Sequence, residues 1–374
     1  MKIAVLTILN VDNYGAELQA HATVRALRSL GHDAEILNYL FYKDPHFINT
    51  RSSAPLMHFP PQKAVRERLY RLWSTAAWLS RGVSKSGLRK RIAEFHEKNT
   101  PISREYRSID ELYGAQLDYD AFAIGSDQVW NPGIYSNIKP YLLDFAPTGR
   151  RLFSYASSFG VSDVPLELQP FYAAAFQRFD RLSVREQAGA ELVKRLSGRE
   201  AMVVLDPTLL LTSEQWREVA AEPDTKLPKH YILAYTVSPD RRVWESARNL
   251  GRQLSLPVIG VDVSSGWFKK SGVTELLPGP DGFLALFDHA ECVLTNSFHG
   301  TAFSINFRKP FYSFINPVKL NNSRQLELLE AMGVKDRVVV EPIVGFSPVD
   351  FSWADSILEQ RRDASFNYLY EALQ

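Results

Sequence analysis

The chain has 374 residues, 45% of them hydrophobic and 23% charged, with 43 Lys and Arg against 42 Asp and Glu. That length suits two domains with a core apiece. The balanced charge argues against a general nucleic-acid binder, whose phosphate affinity needs uncompensated cations, and the single cysteine, Cys292, excludes internal disulfides and thiolate metal clusters.

One cysteine points to a reducing compartment, the cytoplasm. The apolar run Ile3 to Leu9 is cut by Asn10, Asp12 and Asn13 before any cleavage-like site, so no targeting leader is expected. Met202 to Leu211 is broken by Asp206 and Pro207 well short of the ~18 residues a bilayer span needs. Short apolar runs rich in β-branched and aromatic residues alternate with helical spacing, which is the βαβ pattern of an α/β protein with parallel sheets.

Lys2 to Ile8 reads as a strand, Asn10 to Gly15 as a loop, and Ala16 to Leu30 as a helix closed by Gly31, where a left-handed turn costs little without a Cβ. Such a loop lies beyond the carboxyl end of a strand, where helix N-termini present free N–H groups to ligands. Asn13 and Tyr14 are therefore binding candidates, although Asn13 would serve equally as a helix cap. A second strand is expected over 33–40. Residues 62–104 then carry eleven basic residues against three acidic ones. Within them Val65, Leu69, Leu72, Trp73, Ala76 and Leu79 recur at helical spacing, predicting a basic amphipathic helix near 63–80. It would pack on the sheet with its cations in water, rest on an anionic membrane surface or receive an acidic substrate.

The strand expected over 121–127 runs into Gly125-Ser-Asp-Gln-Val-Trp-Asn131. Ser126, Asp127, Gln128 and Asn131 crowd one turn where a helix cap needs only one polar side chain, which points to ligand contact, with Asp127 orienting a hydroxyl or acting as a base. The next strand, 151–159, ends in a similar turn of small residues that includes Ser157. Strands are expected over 181–186 and 201–206. Arg185 closes the first of them, and its planar fork suits a carboxylate or phosphate, or an internal pair with Glu186 or Asp206. Ala221 to His230 is polar, holds two prolines and reads as a linker with the boundary near 222.

A second series of strands is expected over 231–237, 257–262, 292–296 and 310–315. Cys292 to Asn306 reads as a buried strand followed at once by a helix, with His299 in the first turn. The positive helix end there favours a neutral imidazole and a bound anion, and a histidine titrating near neutrality can give or take a proton. A cap or a packed side chain is the plainer alternative. Arg324 opens another helical run behind Ser323, and Asp355 to Leu373 is helical in pattern. The loops and motifs of P-loop hydrolysis, dinucleotide hydride transfer, zinc proteolysis and the serine-hydrolase elbow are all missing from the sequence.

Asp12-Asn-Tyr-Gly-Ala16 with Leu18-Gln-Ala20, then Gly125 to Asn131, Tyr155-Ala-Ser-Ser-Phe-Gly160, Ser183-Val-Arg-Glu186, Leu205-Asp-Pro-Thr208 and Asn296-Ser-Phe-His-Gly-Thr301 stand in an order that resembles the polysaccharide pyruvyl transferase family. The resemblance implies a GT-B-like fold, an α/β architecture of two Rossmann-like domains facing across a cleft. Residues 1–222 would form the acceptor side with the insert 62–104, residues 223–349 the donor side, and 350–374 a final helix returning to the first domain. It further implies phosphoenolpyruvate as donor and co-substrate, with no cofactor or metal, and as acceptor a sugar or lipid-linked oligosaccharide of a surface or exopolysaccharide precursor. His299 matches the family's acid/base histidine and Arg185 a donor arginine. Some members carry an arginine two residues before the histidine; here Ser297 stands there, and Arg324 is the expected replacement. The turn of Ser297, Gly300 and Thr301 would complete the donor side. Asn13, Tyr14, Ser126 and Gln128 would line the acceptor side together with Trp130, Asn131 and Ser157, with Asp127 assisting catalysis. The enzyme is expected in the cytoplasm, on the inner membrane face if the basic segment meets lipid. A nucleotide-sugar glycosyltransferase using Asp262, Glu275 or Asp281, and a non-catalytic binding module, are the competing readings.

Overall fold

The structure is a computed structural model that describes residues 1–45, 86–133, 138–263, 271–316 and 323–374. In the first half lie β1 (Lys2–Leu6), β2 (Asp33–Tyr39), β3 (Ile102–Tyr106), β4 (Ala121–Ile124) and β5 (Arg151–Ser154). They form one parallel sheet in the order β3-β2-β1-β4-β5. β4 is wholly buried and β1 buried from Ile3 onward, which is why both read as unbroken apolar runs. Their order reverses beside β1, the place where a doubly wound sheet opens a crevice at the carboxyl ends of its strands. A small pair, β6 (Ser183–Val184) and β7 (Met202–Val203), follows. The second half builds a six-stranded parallel sheet from β8 (Ile232–Thr236), β9 (Val258–Asp262), β10 (Val273–Glu275), β11 (Cys292–Thr295), β12 (Phe311–Phe314) and β13 (Val338–Val339). Its order is β10-β9-β8-β11-β12-β13, with the reversal between β8 and β11.

The chain is thus an α/β protein of two Rossmann-like domains. Three strands were not expected, β3, β10 and β13, and each lies at a sheet edge. An edge strand is wetted on one side, so Ser103, Arg104 and Glu105 can occupy β3 without an apolar signature. The strands expected over 181–186 and 201–206 shrink to two residues each, and the one over 151–159 stops at Ser154. Beyond it Ala156 turns to a φ of 52° and single bridges join Ser157 to Asp127 and Val184.

One apolar core joins the halves, running from Val5 and Tyr14 to Tyr235, Phe283 and Phe303 and on to Leu358 and Leu369 of the final helix. Tyr14 is the clearest link: its ring stacks on Phe283 at 4.4 Å, and its hydroxyl donates to Pro278 O at 2.8 Å. Tyr14→Phe removes that donor and strands a buried carbonyl, so urea unfolding is expected to show a loss of about 1–3 kcal/mol. The final helix, Ser352–Ala372, lies against the first half, where Tyr368 donates to Ser154 O at 2.7 Å and Ser365 Oγ accepts from Leu205 N at 3.0 Å.

The helix expected near 63–80 lies outside the described residues. The described part of the basic segment holds a docked helix, Ser86–Asn99, that buries Leu88, Ile92, Phe95 and His96, and then enters β3. Arg89 grips Asp12 with Nε at 3.0 Å and Nη2 at 3.1 Å, and Arg91 donates to Leu277 O across the halves. These cations hold loops of the protein itself. Among the described residues no helix is long and apolar enough to cross a membrane.

Candidate active site

Asp206 is the hub of the site. It follows β7, and Pro207 at the first position of the short helix Pro207–Leu210 makes Asp206 its N-cap. Its buried carboxylate accepts from Thr208 N at 3.0 Å and Thr208 Oγ1 at 2.7 Å on one oxygen. The other accepts from Ser126 Oγ at 3.0 Å and Arg185 Nη1 at 2.8 Å. His299 Nε2 stands 3.8 Å from that second oxygen, beyond hydrogen-bond reach. Burial alone would raise the Asp206 carboxyl, but the neighbouring His299, the Arg185 guanidinium and the Thr208 hydroxyl outweigh it and hold the group well below the usual carboxylate range.

Arg185 leaves the end of β6 with its side chain 2% exposed. Its guanidinium lies over the Phe298 ring at 4.4 Å, with Glu186 Oε2 3.7 Å from Nε and Asp127 Oδ1 3.9 Å from Nη2. Only Nη1 has a hydrogen-bond partner; Nε and Nη2 are buried without one. Arg324 arrives from the helix Ser323–Ala331, its buried Nε likewise unpartnered. Burial, and then the nearby Arg185 charge, lower its pKa. Glu186 takes a hydrogen bond from Ser158 Oγ at 2.6 Å on Oε1, while Oε2 has none and burial raises the carboxyl.

His299 sits in the first turn of the helix Phe298–Asn306, which Ser297 caps by accepting from Gly300 N at 3.3 Å. The imidazole rests on the bare backbone of Gly15: a Cβ built there would fall 2.0 Å from His299 Nδ1. Gly15 in the first turn of the Tyr14–Ser29 helix therefore makes room for the histidine of the other half.

Two cavities border this cluster, and His299 stands behind their walls, beside Asp206. One of about 480 Å³ is lined by Arg185, Asp206, Phe298, Arg324 and Arg361 among others. The second, of about 220 Å³, lies past the carboxyl ends of β8, β11 and β12 and shares Phe298 and Arg324 as a common wall. Among the described residues eleven buried side-chain polar atoms lack a hydrogen-bond partner, and five of them belong to Arg185, Glu186, His299 and Arg324. Buried polar atoms are nearly always satisfied, so this concentration sets the cluster apart from the rest of the described residues.

Several sequence expectations need correction. Trp130 is not at a ligand surface: it is fully buried, donates Nε1 to Tyr141 O at 3.1 Å and packs on Phe159 and Phe176. Tyr14, Ser126 and Ser157 are also fully buried, and their hydroxyls are committed to Pro278 O, Asp206 and Gly125 O. Thr301 is buried with its hydroxyl between Ser297 O and Ser313, and Gly300 packs so tightly that a Cβ would meet Thr295 Oγ1 at 2.3 Å. These residues brace the site from behind. Asn13 caps the Tyr14–Ser29 helix by accepting from Gly15 N, and Asn131 braces Gln128 by donating to its Oε1 at 2.8 Å. Gln128 lines the smaller cavity. Asp127, at a φ of 69°, accepts from Gln128 N at 2.9 Å and lies beside Arg185. Asp206 and Glu186 belong to the motifs Leu205-Asp-Pro-Thr208 and Ser183-Val-Arg-Glu186 but were not expected among the site residues; an aspartate set directly before a proline that starts a helix is the available signal for Asp206.

A model of the family "Polysaccharide pyruvyl transferase" matches residues 13–317. No curated protein matches the sequence significantly. Among solved structures, a putative UDP-N-acetylglucosamine 2-epimerase from Listeria monocytogenes superposes with a TM-score of 0.50 at 9% identity, covering 99% of this chain and 90% of that one. An S. aureus MnaA–UDP co-structure gives a TM-score of 0.50 at 10% identity over 98% and 90%. At such identities the likeness extends to the fold alone. With the family match spanning most of its length, this chain belongs to the polysaccharide pyruvyl transferase family.

Proposed function

We propose that this member moves a pyruvyl group from phosphoenolpyruvate to two hydroxyls of a sugar, forming a cyclic ketal during synthesis of a surface or exopolysaccharide in the cytoplasm. The observation that carries the reading is the concentration of unpartnered buried groups on Arg185, Glu186, His299 and Arg324, two of them guanidinium side chains on one cavity. Phosphoenolpyruvate carries a carboxylate and a phosphate on three carbons, and planar guanidinium forks match both. Arg324 fills the charge left open where Ser297 replaces an arginine.

His299 Nε2 delivers a proton to the methylene carbon, which becomes the methyl group, and positive charge develops at the central carbon. A sugar hydroxyl attacks that carbon and gives up its proton to the imidazole. The C–O bond to phosphate breaks, and a second hydroxyl closes the ring while its proton leaves with phosphate. Two hydroxyl hydrogens are lost from the sugar, one ending on the methyl group and one on phosphate. The Asp206 carboxylate, 3.8 Å from Nε2, stabilises the imidazolium electrostatically, and Arg185 and Arg324 hold the departing phosphate.

The test is phosphate release from phosphoenolpyruvate in the presence of candidate glycans. Arg324→Ala is expected to raise the KM for phosphoenolpyruvate by about tenfold or more, the scale of one lost charge-assisted contact. Release that survives His299→Ala unchanged would remove His299 from the chemistry. Binding of a nucleotide sugar in calorimetry, with none of phosphoenolpyruvate, would favour the glycosyltransferase reading instead.

A further inference from the structure

We infer that the smaller cavity, lined by Gln128, Ser238, Asn296, Phe298, Asn316 and Gln325, is the seat of the acceptor's sugar ring, on the far side of a wall made by Phe298 and Arg324 from the anion-binding chamber. The inference rests on the pyruvyl-transfer reading and supplies what that reading lacks, because the acceptor side expected from sequence turned out largely buried. The cavity lies at the sheet position where doubly wound folds bind ligands, beyond β8, β11 and β12. At about 220 Å³ it is below the usual range for extended ligands and suits a single ring.

Its chemistry differs from that of the larger chamber. Asp240 is neutralised by Arg242, whose Nη2 donates to it at 2.7 Å, so among the described residues Arg324 in the shared wall is the cation lining the space. The other polar linings are amides and a hydroxyl. Gln128 accepts from Asn131 through Oε1, and among the described residues no hydrogen bond engages its Nε2. Gln325 donates Nε2 to Thr301 and Ser313, which leaves Oε1 as an acceptor. Ser238 Oγ accepts from Asn296 Nδ2 at 3.2 Å and keeps its own hydrogen to donate. Neutral donors and acceptors in alternation, beside the Phe298 and Phe314 rings, match a sugar, whose hydroxyls both give and take and whose C–H face is apolar.

The same motif builds both chambers. Asn296 ties down the 237–240 loop by accepting from Val237 N at 3.0 Å and donating to Ser238 O at 2.8 Å, so it forms the floor of the smaller cavity. Two residues on, Phe298 carries Arg185 on its ring and His299 faces Asp206. A hydroxyl projecting past Phe298 from the ring subsite would meet the central carbon of a donor held by Arg185 and Arg324. Placing two reacting groups on either side of one aromatic wall is the orientation that ketal closure demands.

The test pairs saturation-transfer NMR on methyl hexopyranosides of gluco, galacto and manno configuration with calorimetry on phosphoenolpyruvate, using the full chain and two variants. Ser238→Trp fills the cavity from a loop, and Gln128→Ala removes one donor. The expected result is transfer to at least one hexoside by the unaltered protein, its loss in Ser238→Trp and an approximately tenfold weaker affinity in Gln128→Ala. Phosphoenolpyruvate affinity should stay within about threefold in both variants. Absence of transfer to every hexoside, transfer unchanged by both variants, or tight UDP binding abolished by Ser238→Trp would each overturn the assignment. Failure of the underlying reading looks different: phosphoenolpyruvate then binds neither the unaltered protein nor the variants, whatever the hexosides do.

Discussion

Replacing Gly15 by alanine is expected to lower turnover by about a hundredfold, the cost of displacing a reacting group by about an ångström. The alanine methyl would stand 2.0 Å from His299 Nδ1, and Gly15 lies in the first turn of a buried helix whose backbone is tied at Asn13 and Tyr14. The histidine therefore has to move. Stability should change much less than activity, because alanine favours the helix by roughly 1 kcal/mol while the overpacking costs about 1–3 kcal/mol. Phosphate release and urea unfolding measured on the same preparation separate the two. Full turnover in Gly15→Ala would mean that His299 does not act from the position it occupies.

Arg185→Met should destabilise the protein by about 3–5 kcal/mol, the range for removing one member of a buried ion pair. The Asp206 carboxylate is fully buried and would keep Ser126 and Thr208 as donors and His299 at 3.8 Å, but lose the guanidinium charge paired with it. The sign of the pH dependence follows from the depressed Asp206 carboxyl. A group depressed on folding contributes stability above its unfolded pKa of about 4, and that contribution is lost as the pH falls below it. Methionine at 185 lets the carboxyl rise, so the variant should lose less stability than the parent between pH 5 and acid unfolding, an interval chosen to span that value of about 4. Urea midpoints across that interval check it; identical pH slopes for parent and variant would show that Arg185 is not what holds Asp206 ionised.

Much of this architecture is written locally. The apolar runs of β1 and β4, the glycine that ends the first helix at a φ of 85° and the strand-to-helix turn at Ser297 each follow from residue chemistry within a few positions. The edge strand β3 was hidden because its charged residues face water. Trp130 shows where local reasoning misleads: it stands among polar residues in sequence, yet the chain turns at Asp127 and sends the indole into the core. Ser126 was noticed for the right reason, since its polarity does serve the site, but it serves by bonding Asp206 from below. Gly15 and His299 are hundreds of residues apart, and no periodicity could have paired them. The same holds for Arg185 and Arg324, which line one chamber from opposite halves of the chain, where Gln187 N donates to Glu327 of the helix Ser323–Ala331.

A crystal structure of the protein soaked with phosphoenolpyruvate measures the account at its centre. The predicted result is one donor molecule in the larger chamber, its two anionic groups against the free guanidinium nitrogens of Arg185 and Arg324, and its methylene carbon toward His299 Nε2. Density for the donor elsewhere, or in that chamber with His299 turned away and Arg324 idle, would contradict it.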